Sequence, residues 1–257
     1  MKETTMRTWV WFVCAAWMLG PTFSTTMAQE SKGLQQAKTF QRKITKTVSL
    51  QYLLYLPQDY GARTRKAWPL LLFLHGAGER GNDIAKVAVH GPPKLVKQGK
   101  DLPFIIVSPQ CPANQLWDSD VLLALLEDVE AKYKVDKSRV YLTGLSMGGY
   151  GSWSLGLAHP EKFAAIAPIC GGGDPVVLSL AEPKRVEAIR TLGVWAFHGA
   201  KDPVVKLEES ERMVEALRKH GCKDVELTVY PEAQHDSWTE TYNNPKLFDW
   251  FLAHQRK

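Results

Sequence analysis

Cysteine is scarce in this chain of 257 residues: Cys14, Cys111, Cys170 and Cys222 are the only four, and none stands in the close pairs that a structural zinc site uses. Neither a disulfide-stapled scaffold nor a structural metal is expected. No apolar run approaches the ~18 residues that a membrane-spanning helix needs. No block of like charge occurs either. The 32 Lys and Arg against 27 Asp and Glu, a formal +5, are spread along the chain, which gives a mildly basic solvated surface and argues against a nucleic-acid partner. Internal repeats, low-complexity tracts and Pro/Gly/Ser linkers are also missing, so a second large domain is not expected.

What is present begins with an unusual N-terminus. Lys2 and Arg7 precede the apolar run "WVWFVCAAWML", followed by Gly20-Pro21 and a small-residue stretch ending "TTMA". This is the layout of a secretory signal peptide over residues 1–28, with cleavage after Ala28 and a secreted or periplasmic product that keeps no stable membrane anchor. Cys14 lies inside the apolar run with no small residue just before it and no Leu three before it, so it does not read as a lipidation site. Removal of 28 residues from 257 leaves 229, enough for one large core. Three cysteines then remain, which allows at most one disulfide. Residues 29–38 are polar and read as flexible, and 39–257 as one catalytic domain.

From about Thr39 onward, short apolar runs alternate with helix-length patterns. The runs are "VSLQYLLYLP", "WPLLLFLHG", "PFIIVSPQ", "RVYLTGLS", "FAAIAPICG", "GVWAFHG" and "VELTVYP". Continuous apolar runs bounded by Gly and Pro suit strands buried on both faces. The helical patterns between them run from Asp118 to Tyr133, Gly149 to His159, Leu207 to His220 and Pro245 to Gln255. The alternation predicts an α/β fold, a mostly parallel sheet of about seven or eight strands with helices on both faces. Ligands of such sheets bind at the carboxyl ends of the strands, so the polar residues just after each run deserve scrutiny.

One of those ends is "LTGLSMGGYG". A strand, "RVYLT", feeds a helix, "YGSWSLGLAHP", through the turn "GLSMG", the setting a G-x-S-x-G nucleophile elbow requires. Ser146 is therefore the candidate nucleophile. A serine hydroxyl needs a base, and the base needs an acid to orient it. His235 follows the last strand, downstream of the serine; His159 reads as a helix cap, His220 and His254 as solvated, and His90 as a loop residue. Asp202, after "GVWAF", is the favoured acid, with Asp174 in "CGGGDP" its rival. The order Ser146, Asp202, His235 is that of an α/β-hydrolase. The loop "LHGAGERGN" supplies the remaining requirement, two donors for a tetrahedral oxyanion, from the backbone N–H groups of Ala77 and Met147. A phosphate loop is excluded there because the lysine and hydroxyl residue of a Walker motif are absent. His75 reads as a brace for this loop, and Glu79 and Arg80 as a pair or as supports.

Through "LHGAGERGND", "VSPQCP", "GLSMGGYGSW", "PICGGGD", "FHGAKDPVV" and "HDSW", the chain resembles the α/β-hydrolase superfamily. Within it, the resemblance is to secreted carboxylesterases and predicted peptidases of the phospholipase/carboxylesterase, feruloyl-esterase-like kind. The resemblance implies the triad Ser146, Asp202 and His235, the oxyanion hole Ala77 and Met147, and hydrolysis of carboxylic esters without cofactor or metal. The short stretch from Asp174 to Thr191 leaves room for only a minimal cap, so small-molecule or polymer-borne esters would both have access. Trp117, Trp238 and Glu79 are candidate substrate contacts. A Cys111–Cys170 bridge remains open, although the usual strand order separates their strands. A serine peptidase of the prolyl-oligopeptidase kind, and a non-catalytic binding protein on the same scaffold, are the alternative readings.

Overall fold

The structure, a computed structural model, describes residues 35–61 and 66–256; the expected signal peptide lies outside them. The chain divides into two compact units, Met1–Thr45 and Lys46–Lys257. The described part of the first, 35–45, has no helix or strand. The second contains the elements in the order β1 (Tyr52–Tyr55), β2 (Trp68–Leu74), α1 (Gly91–Lys97), β3 (Ile105–Pro109), α2 (Ser119–Lys132), β4 (Val135–Leu145), α3 (Met147–Ala158), β5 (Ala165–Ile169), α4 (Val176–Ser179), α5 (Pro183–Thr191), β6 (Gly193–Gly199), α6 (Glu208–Lys219), β7 (Val225–Tyr230), α7 (Trp238–Asn243) and α8 (Pro245–Ala253).

The strands form one seven-stranded sheet in the order β1-β3-β2-β4-β5-β6-β7. All pairs are parallel except β1 with β3. β1 is therefore the antiparallel edge strand, the shortest outcome of the run "VSLQYLLYLP". Every residue of β2, β3 and β5 is buried, because helices cover both faces. The two cores that result differ in composition. One packs α2, α3 and α6 residues such as Leu122, Trp153 and Met213 against Leu72, Leu142 and Val194. The other packs Phe248 and Phe251 of α8 against Phe73, Phe104 and Tyr141. Each such fully buried large side chain contributes about 1.5–3 kcal/mol of transfer free energy.

Helix starts follow local chemistry. Asp118 caps α2 by accepting from the N–H groups of Asp120 and Val121 at 3.0 and 3.2 Å. Helix α1 begins at Gly91-Pro92-Pro93, where the missing proline N–H groups would be unbonded in any case. Between β5 and β6 stand only the short helices α4 and α5, with no cap domain among the described residues. His254, expected to be solvated, is instead drawn in: α8 folds back on the sheet, and its ring lies 2.7 Å from Asp224 Oδ2 and against Gly193. No helix among the described residues is long and apolar enough to cross a membrane.

Candidate active site

Strand β4 ends at Leu145, and the next residue turns the chain into α3. Ser146 has φ 53° and ψ −117°, a region that residues bearing a Cβ rarely occupy, at a cost of about 1–3 kcal/mol. Its neighbours hold it there: the Ser146 N–H donates to Ile169 O at 2.9 Å, and Ser146 O accepts from Tyr150 N–H at 3.0 Å. The tight turn requires α3 to lie close on the sheet. A Cβ on Gly148 would stand 1.9 Å from Leu74 O, so only glycine permits this approach.

The hydroxyl so presented meets an imidazole. Ser146 Oγ is 2.9 Å from His235 Nε2, and His235 Nδ1 is 2.7 Å from Asp202 Oδ2. Three loops, after β4, β6 and β7, converge to make this array. The second carboxylate oxygen, Asp202 Oδ1, accepts from the N–H groups of Val204 and Val205 at 2.8 and 2.9 Å. Burial opposes ionisation of Asp202, but the bonds from His235 and from these two amides outweigh it and hold the carboxyl below its ordinary range. Asp174, the rival acid, is exposed and its Oδ1 accepts from Val176 N–H instead.

The "HGAGERG" loop leaves β2 beside this array. Ala77 opens a 3₁₀ turn and Met147 opens α3, so each N–H belongs to a first helical turn whose donors have no acceptor inside the helix. The loop is pinned at several points. Trp117 Nε1 donates to His75 O at 3.2 Å, Arg80 Nε to Ala77 O at 3.0 Å, and Gln110 Nε2 to Glu79 O at 2.9 Å. Arg80 thus bonds backbone, including Gln115 O at 3.2 Å, rather than Glu79. The Glu79 carboxylate lies 4.0 Å from His75 Nδ1 and 4.0 Å from His90 Nε2.

His75 is fully buried and its bonds fix its tautomer. Nε2 accepts from the Cys111 N–H at 3.0 Å, so Nδ1 carries the hydrogen and donates to Gly76 O at 2.6 Å. Burial pushes its pKa down. The folded protein therefore binds fewer protons here than the unfolded chain, and stability is lost as pH falls through the unfolded value of about 6.5. Thermal midpoints of wild type and His75→Gln, measured from pH 7.5 to 5.5, should draw together toward the acid end. A gap that stayed constant or widened would show that His75 does not remain neutral in the fold.

A cleft of about 500 Å³ opens here, lined by Ala77, Arg80, Leu116, Trp117, Met147, Tyr150, Gly151 and Ser154. It contains both expected oxyanion residues and Trp117. Trp238 and Glu79 are not among its walls. Trp238 stands edge-on to His235 at a ring separation of 5.3 Å, and the His90 ring is also 5.3 Å from it. It borders a smaller hollow of about 140 Å³ with His90, Lys94 and Asn243. The sequence reading missed Tyr150 and Leu116. Position i+4 from Ser146 on the following helix was the available signal for Tyr150.

Among the described residues one group of three metal-type donors occurs, Cys170, Asp202 and His235, whose atoms lie within 4.8 Å of one another. Two of the three are already bonded to each other, and burial pushes the Cys170 thiol up to about 12. Cys170 is therefore a protonated thiol beside the Asp202–His235 pair. Cys111, Cys170 and Cys222 are all free and buried. Strands β2 and β4 lie between β3 and β5, so Cys111 and Cys170 leave the sheet with two strands between them.

Comparison with known proteins adds four findings. Residues 107–248 match a family model described as phospholipase/carboxylesterase. The chain is 27% identical over 216 residues to a probable feruloyl esterase C of Aspergillus terreus, covering 81% of this chain and 76% of that one. It is 28% identical over 214 residues to acyl-protein thioesterase 1 of Mycosarcoma maydis, covering 69% of this chain and 88% of the relative. Among solved structures, a thermostable esterase superposes with a TM-score of 0.63 at 34% identity. That match covers 81% of this chain and 60% of the esterase chain.

Proposed function

The chain belongs to the phospholipase/carboxylesterase family of α/β-hydrolases, and within that family we propose that it is an exported serine esterase in which Ser146, His235 and Asp202 perform acyl transfer. The observation that carries this reading is the unbroken chain of short contacts, Asp202 Oδ2 to His235 Nδ1 at 2.7 Å and His235 Nε2 to Ser146 Oγ at 2.9 Å. His235 takes the Ser146 proton as Oγ attacks the ester carbonyl. The carbonyl oxygen, now negative, is met by the N–H groups of Ala77 and Met147, whose loop is pinned in advance and has no reorganisation to undergo. Asp202 keeps the imidazole in the useful tautomer and stabilises its protonated form. His235 then gives the proton to the departing alcohol. In the second half it deprotonates a water, whose attack on the acyl-enzyme releases the acid and restores Ser146.

The acyl group fits the 500 Å³ cleft, whose walls include Trp117, Leu116 and Tyr150; its volume lies in the range of small-molecule sites. Flat aromatic walls favour an aromatic acyl group of the feruloyl type, in keeping with the named feruloyl esterase relative. With only α4 and α5 between β5 and β6, esters borne on a polymer are also within reach. The expected signal peptide makes the enzyme an exported one.

A fluorophosphonate probe should label Ser146 of the folded protein, with the site read by peptide mass spectrometry. Methyl ferulate and an aryl acetate should turn over at least about 100-fold faster than the matching anilides. Faster cleavage of the anilides would make the protein a peptidase, and folded protein that took up no label would make it a binding protein on this scaffold.

A further inference from the structure

The Asp202 carboxylate faces two imidazoles. Besides the His235 contact, its Oδ2 lies 3.4 Å from His198 Nε2, and the side chains of both His198 and Asp202 are wholly buried. His198 is the penultimate residue of β6 and stands four residues before Asp202. Its Nε2 is 2.9 Å from Val205 O, an atom that only accepts, so Nε2 carries a hydrogen. On the other side of the ring Nδ1 is 2.8 Å from Ser210 Oγ of α6, and Ser210 Oγ is also 3.0 Å from Gly171 O. The Ser210 hydroxyl thereby ties the far edge of the ring to the loop after β5, and Nε2 keeps its hydrogen-bearing edge toward the Val205 carbonyl and the oxygen that His235 uses.

We infer that His198 is a positioning residue for acyl transfer: its Nε2–H, donated to Val205 O, fastens the Asp202–Val205 turn, and this positive ring edge 3.4 Å from Asp202 Oδ2 sets both the direction and the strength of that carboxylate's pull on the His235 ring. The inference rests on the roles proposed above for Ser146, Asp202 and His235. Groups near the pair come from every packed element: Cys170 from the end of β5, Tyr150 from α3, Ser210 from α6, and His235 with Asp236 from the loop after β7. Burial keeps Cys170 and Tyr150 protonated. Asp202, the two imidazoles and the exposed Asp236 are left to carry charge. Without the His198 donor, the whole negative charge of Asp202 acts on His235 and favours its protonated form. Activity should then fail at a higher pH on the acid side.

Two variants separate these effects. His198→Leu removes the donor at similar bulk, and His198→Gln keeps an N–H near the Nε2 position. Both are measured against methyl ferulate, per active site titrated with fluorophosphonate, with Ser146→Ala as the blank. His198→Leu should lose about 10- to 100-fold in kcat, with KM within about twofold and the acid limb of kcat/KM moved to higher pH. His198→Gln should regain most of kcat and the wild-type limb. Wild-type kcat in His198→Leu, or a loss that only tracks the titratable fraction with an unmoved limb, would overturn the inference. Should His198→Leu not fold, Ser210→Ala takes its place, because it frees the far side of the ring; it should lower kcat about 3- to 10-fold at constant KM, and an unchanged kcat would be equally decisive against it. A wild type that turns over no ester defeats the catalytic reading itself, whereas an active wild type beside an inert Ser146→Ala and an unaffected His198→Leu defeats this inference alone.

Discussion

Ser146→Ala should lower kcat for ester hydrolysis by about 10⁵-fold or more while leaving the thermal midpoint within a few degrees of wild type. The asymmetry has a physical basis. Alanine has a Cβ as serine has, so the φ of 53° at this position costs it no more than it costs serine. The lost bond to His235 Nε2 belongs to a partly exposed imidazole that water can reach, so its removal costs about 1 kcal/mol. Chemistry, in contrast, loses the one atom that forms the acyl bond in the mechanism proposed above. The amides of Ala77 and Met147 would still bind a carbonyl oxygen, and a small residual rate over the uncatalysed reaction should remain. The measurement is kcat on methyl ferulate together with a melting curve. Turnover within tenfold of wild type in the folded variant would remove Ser146 from the mechanism.

Gly148→Ala should have the opposite balance, a structural loss that carries activity with it. The added Cβ would lie 1.9 Å from Leu74 O, 2.5 Å from Leu74 C and 2.8 Å from His75 O. All three are backbone atoms at the end of β2, and Leu74 and His75 are wholly buried. Neither strand nor helix can yield without disturbing a core, since Trp153 and Leu155 of α3 are buried too. A cost of several kcal/mol follows from overpacking of this kind, against a typical total stability of about 5–15 kcal/mol. For a chain of this size that corresponds to a midpoint lowered by roughly 10 °C or more. Any movement of α3 away from β2 also separates Met147 from Ala77, so the folded fraction should hydrolyse ester poorly. Gly78→Ala is the matching control, because a Cβ there meets nothing within 4 Å. Equal midpoints for the two variants would show that α3 does not sit on β2 as described.

The seven apolar runs became seven strands; for β2, β3 and β5 burial on both faces leaves a continuous pattern that needs no knowledge of neighbours. Asp118 announced the start of α2 by the same local logic, a side chain that caps its own helix. The helix α1 was missed because Gly91-Pro92-Pro93 reads as a breaker unless the helix begins there. His254 was misplaced because its partner, Asp224, is 30 residues away and only the docking of α8 brings them together.

The same division holds at the site. By itself the sequence determined the elbow around Ser146, the order in which Ser146, Asp202 and His235 follow one another, and the glycine loop at Ala77, since each is a short stretch at the end of an apolar run. It favoured Asp202 but kept Asp174 as its rival, each an aspartate shortly after a strand. The tertiary structure decided which of the two meets His235, that Trp117 lines the cleft while Trp238 backs the imidazole, and that His198 stands behind Asp202. The reason is that a strand's existence is set by its own residues, whereas the distance between two strand ends is set by their order in the sheet. That order is decided only when both faces of the sheet are covered.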